Sequence, residues 1–307
     1  TVVGNVFVDV KGFPDDNYIP GGRNAGHVEH VHGGVGRNVA EDIANVELRP
    51  RFVSMVDDTA EGAEVLKKLN NHKVNTEYVL SVPDGMGLWL AVFDETGDIV
   101  GSISKRPDMT ALARLVEEKG DEIFADCDSI VLEIDLDKEI IKSVFKYAEK
   151  YNKRVYAVVA NMSIATQRRD FLQSIDCFVC NAEEAGILFV CDMSGLSPEA
   201  LCEELSKRVM SARIPSMVVT LGSRGAVYAD MHGDKGVYPA QRVNVRDTTG
   251  AGDAFCAGVA MGLTYGKTMR EAVEIGTRLA ASVITVSENV CPRFLPRELG
   301  LDIDVTD

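Results

Sequence analysis

The chain has 307 residues, 46% of them hydrophobic and 26% charged, an ordinary globular mixture with enough apolar material for a large core. Its 47 acidic residues outnumber 32 basic ones, and a net charge of -15 opposes binding to a nucleic-acid backbone or an anionic membrane surface. No run approaches the roughly 18 apolar residues of a membrane helix, and seven scattered cysteines fit free thiols in a reducing, cytoplasmic setting.

Residues 2–8 are the first of several short β-branched runs that predict strands. Residues 11–32 are polar and loop-like, with Gly21-Gly22 and three histidines. His27, Glu29, His30 and His32 offer donors that suit zinc, although the interleaved Val28 and Val31 fit a lid strand beside solvent. Gly34-Val-Gly36 opens like a dinucleotide fingerprint of a nicotinamide-dependent oxidoreductase, but Val39 stands where the third glycine is required. The alternative is that Gly33 and Gly34 let a polar ligand approach the backbone while Arg37 and Asn38 open a helix.

A strand is predicted over 52–56. Residues 87–93 and 99–105, joined by Asp94-Glu-Thr-Gly-Asp98, predict a hairpin. Segments of about 11–32 and 86–107 thus leave the main rhythm and predict a small β-stranded lid. Runs at 129–132, 154–159, 177–179 and 217–221 then alternate with helical patterns. One of these, 137–151, places Ile140, Ile141, Val144, Phe145 and Ala148 on one stripe; another covers 198–210. The alternation implies crossover units and a buried, mainly parallel sheet, hence an α/β, three-layer α/β/α Rossmann-like sandwich as one domain over 1–307 with its lid. Cys177 and Cys180 lie three apart on a strand and point to opposite faces, which favours core packing over a metal site.

Three later motifs sit where open α/β sheets bind ligands, beyond the carboxyl ends of strands. They are Asn181-Ala-Glu-Glu184, Thr220-Leu-Gly-Ser-Arg-Gly225 and Asp247-Thr-Thr-Gly-Ala-Gly-Asp253. In the last, small residues let backbone crowd a ligand and amides open the helix predicted over 254–263, a site for anionic charge. From spacing alone, Asp253 serves equally as a helix cap or as a proton acceptor. Gly262-Leu-Thr-Tyr-Gly-Lys-Thr268 has only three residues between its glycines and follows a helix, so it reads as a helix end and not as a phosphate-binding Walker loop.

With Gly33-Gly-Val-Gly-Arg-Asn38 in front, this ordered set resembles the signatures of the PfkB (ribokinase-like) carbohydrate kinases across nearly the whole chain. The resemblance implies an ATP-dependent phosphotransferase in which Asp253 is the catalytic base and the amides of Gly250, Ala251 and Gly252 steady the passing phosphoryl group. It implies that Asn181 and Glu184 place Mg²⁺, partly through water, and that Thr220, Gly222 and Gly225 line the nucleotide cleft. Asp247 and Thr249 match positions that hold a monovalent cation such as K⁺. Asp9, Gly33, Gly34, Asn38 and Asp108 are implied in holding a sugar or nucleoside, and the lid is implied in pairing subunits into a homodimer. Within the family, Asn24-Ala-Gly26, Asp108-Met109 and Ser287-Glu288 are most similar to pseudouridine kinases, with ribose or another nucleoside as alternatives. Ala160-Asn161 departs from the Asp-Pro common there, and Lys105 and Arg106 suit either an acidic sugar or an edge guarded by charge. A non-catalytic ligand-binding protein on the same scaffold is the reading from another class.

Overall fold

Two sheets divide the chain in the computed structural model, which describes residues 1–193 and 195–303. The N-terminal half supplies β1 (Val2–Val3), β2 (Phe7–Pro14), β3 (Gly26–Gly33), α1 (Val35–Asn45), β4 (Arg51–Asp57), α2 (Ala60–Asn71), β5 (Asn75–Val82), β6 (Gly87–Phe93), β7 (Ile99–Lys105) and α3 (Thr110–Phe124). The remainder supplies β8 (Ser129–Glu133), α4 (Lys138–Lys150), β9 (Arg154–Val158), α5 (Met162–Ala165), β10 (Cys177–Asn181), α6 (Ala182–Phe189), α7 (Pro198–Ala212), β11 (Ser216–Thr220), β12 (Ala226–Asp230), β13 (Lys235–Tyr238), α8 (Ala251–Thr264) and α9 (Met269–Val283).

The main sheet runs β13-β12-β11-β10-β9-β8-β1-β4-β5. It is parallel from β5 through β11, and β12 and β13 add an antiparallel edge. Strand residues alternate between two buried clusters, one against α3, α4 and α7, the other against α1, α2, α8 and α9. Phe178 and Cys180 belong to the first and Cys177 and Val179 to the second, so the CxxC pair is split across the sheet as its spacing requires. Both thiols are buried and free.

The second sheet, β3-β2-β6-β7, is the lid, and its β6–β7 hairpin matches the one read from sequence. Its start does not. Residues 2–8 are not one strand: the Asn5 N–H turns aside to the Glu133 carboxyl, main-sheet pairing stops at Val3, and the chain re-enters extended structure at Phe7 in the lid. Residues 11–32 are likewise less loop-like than their polarity suggests. β2 and β3 pair without interruption from Phe7–Gly33 to Pro14–Gly26, leaving only 15–25 as loop. Much of the far end of this ribbon is open to solvent, so it carries no apolar alternation to betray it. No helix among the described residues is long and apolar enough to cross a membrane.

Candidate active site

The glycine-rich run bends sharply into α8. Gly250, the residue before the helix, has φ 81°, and a β-carbon there would lie 2.0 Å from the Asn289 carbonyl oxygen, so only glycine fits. Asp253 is therefore the third residue of the helix; the capping position that its spacing also allowed is held by Gly250, and no side chain caps this end. The Ala251 N–H is taken by the Thr248 carbonyl at 3.3 Å. Among the described residues, the amides of Gly250, Gly252 and Asp253 have no backbone acceptor, and with the helix dipole they make a donor-rich, anion-favouring end.

Asp253 keeps part of its surface open to the cleft. Burial pushes its carboxyl up to about 6, opposed by a hydrogen bond from Asn38 and the charge of Arg37, while Asp9 and Glu184 add to the rise. Asn38 Nδ2 donates to Asp253 Oδ2 at 2.6 Å. Asn38 stands in the first turn of α1, which begins after Gly34 at φ 97°. Asp9 reaches in from β2 of the lid, its carboxylate lying within 2.8 Å of where a β-carbon on Gly33 would sit. Burial raises the Asp9 carboxyl, against the charges of Lys11 and Arg37. One side of the cleft thus gathers Asp9, Gly33, Gly34, Asn38 and Asp253.

Across the cleft, the carboxyl ends of β10 and β11 bring Asn181 and Thr220 side by side, and the Thr220 hydroxyl faces the Cys180 carbonyl at 3.5 Å. Asn181 and Glu184 form a reciprocal capping box: Asn181 Oδ1 accepts from the Glu184 N–H at 2.9 Å, and the Glu184 carboxylate from the Asn181 N–H at 2.8 Å. Burial raises the Glu184 carboxyl, with Asp135 adding to it. Glu184 keeps one oxygen outside the capping box, and no cluster of three metal-binding side chains occurs among the described residues. That donor set fits an ion that retains most of its water, as Mg²⁺ does. Gly222 and Gly225 turn the chain after β11 with φ 58° and 96°. Asp247 Oδ1 accepts from the Thr249 N–H at 2.9 Å.

Other candidates lie elsewhere or are already engaged. Asp108 is exposed and accepts from both the N–H and hydroxyl of Thr110, at 2.9 and 2.6 Å, fixing the start of α3. Asn24 closes its own loop on the Ile19 N–H and carbonyl. Lys105 pairs with Asp84 at the surface, and Arg106 donates to the Asp135 carbonyl at 2.8 Å, tying the lid to the body. His27 and Glu29 sit 3.9 Å apart, with His30 and His32 on the opposite face of β3. Thr268 and Glu271 form the capping box of α9, so the Walker-like run is a helix stop and start.

Several residues that matter here carried no motif. Arg37 is fully buried, pairs with Glu41 and donates to the carbonyls of Gly33 and His32, pinning the root of the lid to α1. Asn289 donates to the same His32 carbonyl. Lys11, two residues along β2 from Asp9, brings positive charge to both Asp9 and Asp247. Glu133 and Asp42 are buried acids beneath the site. Only their placement in three dimensions reveals them.

A buried carboxyl in the first turn of a helix, with the lid sheet on one side and the ends of β10 and β11 on the other, agrees with the match of residues 1–290 to the family model of pfkB family carbohydrate kinases. The chain belongs to that family. This pfkB kinase is 34% identical over 293 residues to the guanosine-inosine kinase of Exiguobacterium acetylicum, covering 94% of this chain and 95% of that protein. It is 25% identical to the pseudouridine kinase of Escherichia coli K12, covering 89% and 86% of the two chains. The Arabidopsis thaliana ribokinase structure with ribose and ATP superposes with a TM-score of 0.80 over 99% of this chain and 98% of its own, at 21% identity. The pfkB kinase therefore has the ribokinase-like α/β fold and is an ATP-dependent phosphotransferase acting on a sugar or nucleoside.

Proposed function

We propose that the enzyme phosphorylates a ribose hydroxyl of a purine nucleoside, with guanosine and inosine as its first substrates. The observation that carries a nucleoside over a free sugar is Trp89. It stands in register beside Asp9 on neighbouring parallel strands, hence on the same face of the lid sheet. An indole next to the carboxylate that would hold the sugar gives a base a surface to stack on. The identity with the Exiguobacterium enzyme supports the purine, while the Gly33 to Asn38 pattern and the E. coli relative favour pseudouridine as the second reading.

Asp9 and Asn38 orient the sugar, and Asp253 takes the proton of the attacking hydroxyl on its outer oxygen while Asn38 holds the inner one. The free amides of Gly250 and Gly252 stabilise charge on the group in flight. Bound ATP with a divalent ion at Glu184 supplies the phosphoryl group and offsets its charge; Asp247 and Thr249 are assigned to a monovalent cation behind the same loop. An ATP-consumption assay with guanosine, inosine, pseudouridine and ribose tests this. We expect kcat/KM for a purine nucleoside to exceed that for ribose at least about a hundredfold, and Trp89→Ala to remove about tenfold or more of it, the scale of one base stacked on an aromatic ring. Equal use of ribose, unaffected by Trp89→Ala, would overturn the nucleoside reading.

A further inference from the structure

One buried acid has no part in the chemistry described so far. Asp42 lies one helical turn beyond Asn38 on the same face of α1 and is fully buried. Its Oδ1 accepts the Cys291 N–H at 2.6 Å. Its Oδ2 is buried without a partner, and so is Oδ1 of Asn38. An ionised Asp42 leaves its Oδ2 and the Asn38 Oδ1 both as acceptors with nothing to donate to them. It also competes with Asp253 for the single NH₂ of Asn38, since turning that amide toward Asp42 would set its carbonyl against the base. A single proton removes both conflicts.

We propose that Asp42 is a positioning residue that holds a proton on Oδ2 and donates it toward Asn38 Oδ1, locking the Asn38 NH₂ onto Asp253. The chain of donors then runs from the Cys291 N–H to Asp42, from Asp42 to Asn38, and from Asn38 to Asp253. The surroundings agree. Burial, Asp253 on α8 and Glu41 on α1 all raise the Asp42 carboxyl, and only Cys291 opposes them. The nearby cations Arg37, Lys68 and His72 are turned to Glu41. The catalytic consequence rests on Asp253 as the base; the proton on Asp42 does not.

Asp42→Asn and Asp42→Ala, with infrared spectroscopy, test this. Asparagine keeps a donor toward Asn38 and an acceptor for Cys291, so kcat should stay within about twofold and the acid limb of the pH profile should not move. Alanine should lower kcat about tenfold or more while KM for ATP stays near its parent value. The infrared difference between parent and Asp42→Asn at neutral pH should contain the carbonyl band of a protonated carboxyl. If Asp42→Ala does not fold, the asparagine variant and the band decide. The proposal falls if the band is absent, if Asp42→Asn is inactive, or if it moves the acid limb downward, the mark of a charge removed. Should Asp253→Asn prove fully active, the base assignment fails, yet the band still reports on Asp42.

Discussion

A carboxylate that takes a proton near neutrality needs more proton affinity than an ordinary aspartate while still being ionised at working pH. Asp253, pushed up to about 6, meets that condition through burial more than through its neighbours. In the proposed role Asp253 acts when ionised, so kcat/KM should fall about tenfold per pH unit below about pH 6. Asp253→Asn should lower turnover at least about a hundredfold while ATP binding, measured by calorimetry, stays close to the parent. A raised carboxyl stabilises the fold fully below its ordinary range and loses that contribution as pH rises through 6. Asp253→Asn should therefore also be more stable than the parent at pH 8, by about 3 kcal/mol in denaturant melts. Full activity or lower stability would each contradict the burial argument. The residue itself was legible because its constraint is local: small residues must precede it for the chain to turn at Gly250.

At the scale of elements, α1 inverts the usual amphipathic rule, burying Arg37, Asn38, Glu41, Asp42 and Asn45 along with its apolar residues. Those polar residues look like a solvated face in sequence, and only the packing of α8 and the Cys291 segment against the helix shows otherwise. The joint between α1 and the sheet depends on Glu133 at the end of β8. Its carboxyl accepts from the Asn5 N–H at 2.9 Å, the Gly36 N–H at 3.2 Å and Asn5 Nδ2 at 3.0 Å. Burial and the nearby Asp135 push it up to about 8. Its stabilising contribution is thus complete below its ordinary value of 4.5 and declines as pH rises through 8. Glu133→Ala leaves two backbone donors buried without an acceptor and should cost about 2–4 kcal/mol. Glu133→Gln can serve both amides with its oxygen once Asn5 turns its own amide, so it should fold and show a flatter loss of stability between pH 5 and 8. Melts across that range measure both, and a parent whose stability climbs toward pH 8 would remove Glu133 from this role.

For the whole molecule, the sequence conveyed the alternating body well, since buried parallel strands are short apolar runs between periodic helices. It conveyed the lid's position and its β6–β7 hairpin but not the β2–β3 ribbon, because a sheet open on one side shows no such contrast. β13 is a part-exposed edge strand, and β12, though buried on both faces, is only five residues long and carries no motif. The lid also presents an apolar face to solvent. Leu88, Leu90 and Ile103 share the lid face opposite Asp9 and Trp89, Ile103 standing across from Leu90 and 70% exposed. Lys105, which would oppose Leu88 on that face, is drawn to Asp84. Apolar side chains on paired strands with no cover from the described chain are a liability in water. The homodimer expected from the sequence would place a second copy on this face. Sedimentation at micromolar concentration should then give twice the mass of the chain. Ile103→Glu should give a single chain with a raised KM for the nucleoside and little change in KM for ATP, because the lid holds Asp9 and not the nucleotide motifs. A parent enzyme that sediments as a single chain, or an Ile103→Glu variant that keeps both mass and KM, would leave the lid face without this partner.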